Sequence, residues 1–158
     1  MGSKPIRTAP SCILALPPMQ THALTPLTHQ RRSLFTRTAN ADLMLEILFR
    51  HREQSRYQLY AFVLMPDHMH VLITPSPGQT LSRCLQFIKG GFSHTIREQF
   101  KGEVWHPGHH EHRIRNTEDF INQKNYIAKN PERRHLIDHP YVHTQWPNQT
   151  DPIPPHLR

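Results

Sequence analysis

Cysteine is nearly missing: Cys12 and Cys84 are the only two in 158 residues, and they lie far apart. Two such thiols build neither a disulfide framework nor a cysteine-based zinc site, and a reducing cytoplasm is the simplest home for them. Long hydrophobic runs are missing too. Nothing approaches the roughly 18 consecutive apolar residues of a membrane-spanning helix. Cys12-Ile13-Leu14-Ala15-Leu16 is too short for the apolar core of a secretion signal and runs at once into Pro17 and Pro18. Acidic residues are few, 12 against 19 Lys and Arg, for a net charge of +7 and a pI near 9.9. That imbalance favours a polyanionic partner, nucleic acid or an anionic membrane surface.

Hydrophobic residues make up 36% of the chain and mean hydropathy is -0.65, so part of it is expected to stay outside the core. The length suits one domain with a real core. Pro5, Pro10, Pro17 and Pro18 fall in the first 20 residues, and five of the 15 prolines lie from Pro140 onward. Residues 1–20 therefore read as an irregular arm, 21–139 as the folded domain, and 140–158 as an extended, mobile tail.

The stretch Leu64-Met65-Pro66-Asp67-His68-Met69-His70-Val71-Leu72-Ile73 organises the rest. It reads as a strand entered through a proline turn, with Met69, Val71 and Ile73 alternating against His68, His70 and Leu72. Successive side chains on a strand point to opposite faces, so His68 and His70 share one face, about 7 Å apart. Two imidazoles so placed fit a divalent metal ion or an ordinary hydrogen-bonded pair. Around this strand, Thr21–Thr28 alternates as a first strand that Pro26 demotes to an edge or distorted strand. Thr38 or Asn40 can cap a helix to about Gln54. Tyr57–Leu64 reads as a strand antiparallel to the histidine strand. Leu81, Leu85, Ile88, Phe92 and Ile96 carry a second helix from about Thr80 to Phe100, weakened at Gly90-Gly91, for which a bend or the close approach of a partner backbone would be a reason. Glu111–Arg115 alternates as a strand. Asn116 or Thr117 begins a third helix with Glu118 and Asp119 in its first turn, running to about Asn130, where Pro131 stops it. This order suits an α+β fold, an antiparallel sheet with helices packed on one face in a ferredoxin-like arrangement.

Asn122, Tyr126 and Asn130 follow at i, i+4 and i+8 and form one stripe of the third helix. If that helix packs beside the histidine strand, Asn130 offers an oxygen as third ligand and Tyr126 stands next to the ion. Two nitrogen ligands and one oxygen suit Mg²⁺ or Mn²⁺, although imidazole also accepts Zn²⁺. A phenol is a weak nucleophile at neutral pH, and a metal beside a scissile phosphate compensates by neutralising developing charge.

His68-Met69-His70 resembles the histidine-hydrophobic-histidine (HUH) motif of single-strand DNA endonucleases. The string Ala61–Leu72 is similar to the single-tyrosine, IS200-like transposases of bacterial insertion sequences. Trp105, Glu111-His112-Arg113-Ile114-Arg115, Asp119-Phe120 and Tyr126-Ile127-Ala128-Lys129-Asn130-Pro131 resemble the REP-associated tyrosine transposase branch, and the likeness runs from about Thr28 to Leu136. The resemblance implies a metal-dependent transposase of HUH fold that cuts hairpin-forming repeat DNA. Tyr126 would be the catalytic nucleophile, forming a 5′-phosphotyrosine link. His68, His70 and Asn130 would hold the metal, Mg²⁺ or Mn²⁺. Single-stranded or hairpin DNA would be the partner, with no membrane role, for a monomer or homodimer in the cytoplasm associated with the nucleoid. Arg31, Arg32, Arg113, Arg115, Lys124 and Lys129 are candidates for phosphate contacts. The chain departs from the branch at Pro26, inside the first strand, and at Ala128, where histidine is common. Two other readings stay open: a non-catalytic repeat-DNA-binding protein on the same fold, and a zinc site built from His106, His109, His110 and His112.

Overall fold

A computed structural model describes residues 19–158, so all of the expected N-terminal arm except Met19 and Gln20 lies outside the described residues, as does Cys12. Four strands, β1 (His22–Thr25), β2 (Tyr57–Met65), β3 (His68–Pro75) and β4 (His110–Arg113), form one antiparallel sheet in the order β2-β3-β1-β4. Three helices accompany them: α1 (Thr38–Glu53), α2 (Leu81–Ile96) and α3 (Thr117–Arg133). Up to β4 this is the ferredoxin-like order expected from the sequence.

The helices cover both faces of the sheet, not one. Leu24, Phe62, Leu64, Met69, Val71 and Ile73 pack into one cluster with the apolar stripes of α1 and α2. Tyr60, Ala61, Val63, Met65 and Leu72 pack instead with Phe120 and Ile127 of α3. A bulge between Leu59 and Ala61 sets which β2 residues join which cluster. One extra residue reverses the alternation, so Leu59 and Phe62 share a face while Tyr60 and Ala61 share the other. With both faces covered, β2 is buried at every position but Gln58.

α2 begins on Thr80, whose side chain accepts from the Arg83 N–H. At Gly91 the close neighbour is a side chain, not a backbone: a Cβ there would sit 3.0 Å from Cγ2 of Ile47 on α1. Neither Thr38 nor Asn40 caps α1; Arg37 occupies that position without a side-chain cap.

Three further expectations are corrected. β1 is not an edge strand, because it lies between β3 and β4. It ends at Thr25, before Pro26, whose carbonyl still accepts from the Met69 N–H; proline loses a donor, not an acceptor. Pro131 does not stop α3, which runs on to Arg133. Nor is the tail a loose extension. Val142 bridges Val63, Leu64 N–H donates to the Tyr141 carbonyl, and the Asp151 carboxylate accepts from Leu59 N–H and from Arg52. The tail thus covers the outer edge of β2, satisfying donors that an edge strand leaves bare.

Candidate active site

The turn between β2 and β3 is tied down from several sides. Thr28 donates to the Asp67 carbonyl through both N–H and hydroxyl, and Phe35 N–H donates to that of Pro66. The Asp67 side chain then divides its oxygens: Oδ2 accepts from Arg31 Nε at 2.8 Å, and Oδ1 lies 2.7 Å from His68 Nδ1. Burial works to raise the Asp67 carboxyl, but the bonds from Arg31 and His68 outweigh it and hold it below its ordinary range. Across the face, His70 Nδ1 lies 2.9 Å from the hydroxyl of Thr25 on β1. The Asp67 carboxylate only accepts, so His68 Nδ1 donates and its Nε2 carries the lone pair; the Thr25 hydroxyl can take either role, and at His70 it is the Asn130 amide nitrogen that favours a lone pair on Nε2. Burial, helped by His68, Arg133 and Arg134, pushes His70 down to about 3. Burial also lowers His68, against the pull of Asp67. Both rings are neutral at pH 7.

The ring centroids of His68 and His70 are 5.0 Å apart at 90°. α3 crosses this end of the sheet and delivers its stripe there. Asn130, 4% exposed, sets its amide nitrogen 3.3 Å from His70 Nε2, while its Oδ1 is buried without a partner. One turn earlier, Tyr126 meets His70 edge-on at 5.7 Å between centroids, and is 45% exposed. A cleft of about 210 Å³ holds His68, His70, Tyr126 and Asn130 together with Arg31, Arg133, Arg134 and His110. A second, of about 290 Å³, shares His70, His110 and Tyr126 and extends over Ala23 and Ile127 toward Gln123.

The donor set fits a divalent ion: two imidazoles whose Nε2 atoms face the cleft, that of His70 beside the Asn130 amide nitrogen, and a buried amide oxygen that lacks a donor. Among the described residues no group of three His, Cys, Asp or Glu side chains is arranged for a metal, so the site reaches three protein donors only through Asn130. The loop histidines do not gather. His112 bonds Asp119 at 2.9 Å, His109 approaches Glu111 at 3.9 Å, and His110 turns to the cleft.

The basic candidates separate. Arg31 lines the cleft. Arg32 lies over Phe100 and donates to the Glu103 carbonyl. Arg113 is opposite His22, at the far end of β4 from His110, and Arg115 approaches Asp119 at 4.0 Å. Lys129 is exposed, and Lys124 acts on His143 of the tail. Arg133 and Arg134 were missed. A helix stopped at Pro131 leaves out Arg133, which stands seven residues, two turns, from Tyr126, and Arg134, which follows the last turn. The signal was the Arg-Arg pair itself.

A ferredoxin-like antiparallel sheet with two histidines on an inner strand, facing a tyrosine on a crossing helix, is the architecture of the single-tyrosine HUH class. Within that class the chain belongs to the IS200-like transposase family, whose model matches residues 18–130. It is 28% identical over 116 residues to a REP-associated tyrosine transposase of Escherichia coli K12, covering 72% of this chain and 66%, just under two thirds, of that protein. A structure of the REP-associated tyrosine transposase bound to a REP hairpin superposes with a TM-score of 0.69 at 27% identity, over 85% of this chain and 83% of the other. A crystal structure from Deinococcus radiodurans, 20% identical, shares the fold with a TM-score of 0.53 over 68% of this chain and 88% of its own. No helix among the described residues is long and apolar enough to cross a membrane.

Proposed function

We propose that the protein is a metal-dependent single-strand DNA endonuclease and strand transferase acting on hairpin-forming repeat DNA. The observation that carries this is the convergence, in one chain, of Tyr126 with His68, His70 and Asn130 on one cleft. Tyr126 Oη attacks the scissile phosphorus. An Oη–P bond forms, the P–O3′ bond breaks, the phenolic proton leaves to water, and the departing 3′ oxygen takes a proton up. The 5′-phosphotyrosine keeps phosphoester bond energy, so a second 3′-hydroxyl can reverse the step with another strand. Mg²⁺ or Mn²⁺, held by His68, His70 and Asn130, would supply charge neutralisation at the phosphoryl oxygens. The protein's own contribution is orientation. Asp67 fixes the tautomer of His68, Thr25 orients the ring of His70, and α3 holds the phenol at the cleft mouth. Arg31, Arg133 and Arg134 give the cleft a positive rim that attracts the phosphate backbone. Tyr126 meets His70 within one chain, which supports cleavage in cis by a monomer. The likeness to a hairpin-bound relative supports hairpin DNA as substrate, met in the cytoplasm on the nucleoid.

The test is direct. Hairpin DNA with a single-stranded flank, incubated with protein and Mg²⁺ or Mn²⁺, should yield an adduct that survives denaturation. Tyr126→Phe should abolish it while DNA affinity stays within about twofold, since the lost hydroxyl is one group in a backbone-dominated interface. An adduct formed by Tyr126→Phe overturns the assignment; hairpin binding with no adduct from the unaltered protein supports the purely DNA-binding reading.

A further inference from the structure

The Tyr126 ring is half in solvent, and two groups hold it. His70 meets its edge. Over its face lies Arg133, with Cζ 3.9 Å from the ring centroid. The same guanidinium donates from Nη2 to the Tyr126 backbone carbonyl. Arg133 thus reaches back two turns along α3 and grips the tyrosine at ring and backbone together. Arg31, Arg50, Arg52 and Arg115 each hold a carboxylate within 4.0 Å. Arg133 holds none among the described residues, and its charge borders the cleft with His68, His70 and Asn130.

We infer that Arg133 is a positioning residue for strand cleavage: it pins the phenol over the cleft and offers its remaining N–H groups to a non-bridging oxygen of the scissile phosphate. This rests on Tyr126 as the nucleophile. A guanidinium suits both tasks at once. Its flat face stacks on an aromatic ring, and its edge carries five N–H donors in a fork that matches phosphate oxygens. One of those donors is used on the Tyr126 carbonyl, and the others are available. A lysine ammonium brings the charge but neither the stacking face nor the fork.

The experiment compares Arg133→Met, Arg133→Lys and Tyr126→Phe with the unaltered protein on hairpin DNA carrying a single-stranded flank, in Mg²⁺. Misplacing an attacking group by about 1 Å costs on the order of a hundredfold in rate, so kcat for adduct formation should fall about that far in Arg133→Met, with KM changed less than about threefold. Loss of one single-strand phosphate contact should flatten the slope of log affinity against log salt by about 0.7. Arg133→Lys should recover that salt slope and leave kcat depressed, and added guanidinium should restore part of the Arg133→Met rate. A kcat within twofold of the unaltered protein in Arg133→Met, with adduct formation still dependent on Tyr126, overturns this inference alone. Full recovery of kcat in Arg133→Lys also overturns it, since charge without stacking would then suffice. Adduct formation by Tyr126→Phe overturns the nucleophile assignment, and this inference with it.

Discussion

The two faces of the sheet do different work with the same strands. On one, Leu24, Met69, Val71 and Ile73 meet α1 and α2 in an apolar cluster whose few polar groups are bonded internally: the Tyr57 hydroxyl donates to the Leu48 carbonyl and the Trp105 N–H to that of Lys89. On the other, α3 closes over Ala61, Val63 and Leu72, but at the Thr25–His70 end it arrives with Asn130 and Tyr126 and leaves a cleft. Residues that alternate along β3 are thus assigned alternately to stability and to chemistry. Met69 is sealed in the core, while the histidines on either side of it face the cleft. The closed face can keep the ligand strand rigid because it is close-packed and apolar, with its few polar groups bonded to backbone carbonyls. The open face can hold neutral imidazoles because burial from both sides strips them of water.

That division can be broken by mutation. Ile47→Ala, deep in the closed face, should cost about 2–5 kcal/mol of unfolding free energy. It should leave adduct formation per folded molecule unchanged, as denaturant titration and single-turnover kinetics on one preparation would reveal. Thr25→Val tests the opposite case. It removes the oxygen at His70 Nδ1, and loss of such a supporting bond costs roughly 10- to 100-fold in metal affinity or activity. Calorimetric metal titration should register the drop while Tm moves little.

A smaller effect should appear with pH. His70 is held near 3 in the folded protein, below its ordinary 6.5, so below about 6.5 the unfolded chain binds the extra proton. The stability is full above that pH and is lost as pH falls toward 3. For one such group the slope is about 1.4 kcal/mol per pH unit. His68 and His143, also lowered by burial, steepen it. In chelator, urea midpoints between pH 6.5 and 4.5 should fall less in His70→Asn than in the unaltered protein; equal slopes would refute the neutral, buried state of this ring. Smallest of all, Arg115→Ala removes a charge remote from the cleft, and the adduct rate should stay within about twofold at moderate salt, where exposed charges farther apart than a Debye length are largely screened.

The sequence by itself determined what periodicity carries. Alternation along β3 put His68 and His70 on one face, helical spacing put Tyr126 and Asn130 on one stripe, and the order of elements implied an antiparallel α+β sheet. These are local properties, set by a side-chain period of 2.0 or 3.6. Only the tertiary structure decided which neighbours those faces meet. α3 packed on the face opposite α1 and α2, the bulge at Tyr60 reversed the alternation along β2, and β1 became an inner strand despite Pro26. Asp151 and Arg52, 99 residues apart, docked a tail that composition alone marked as loose. α3 carried on past Pro131 and set Arg133 over Tyr126. Each depends on contacts between segments distant in sequence or on a single shift in register, and neither leaves a periodic trace in the chain.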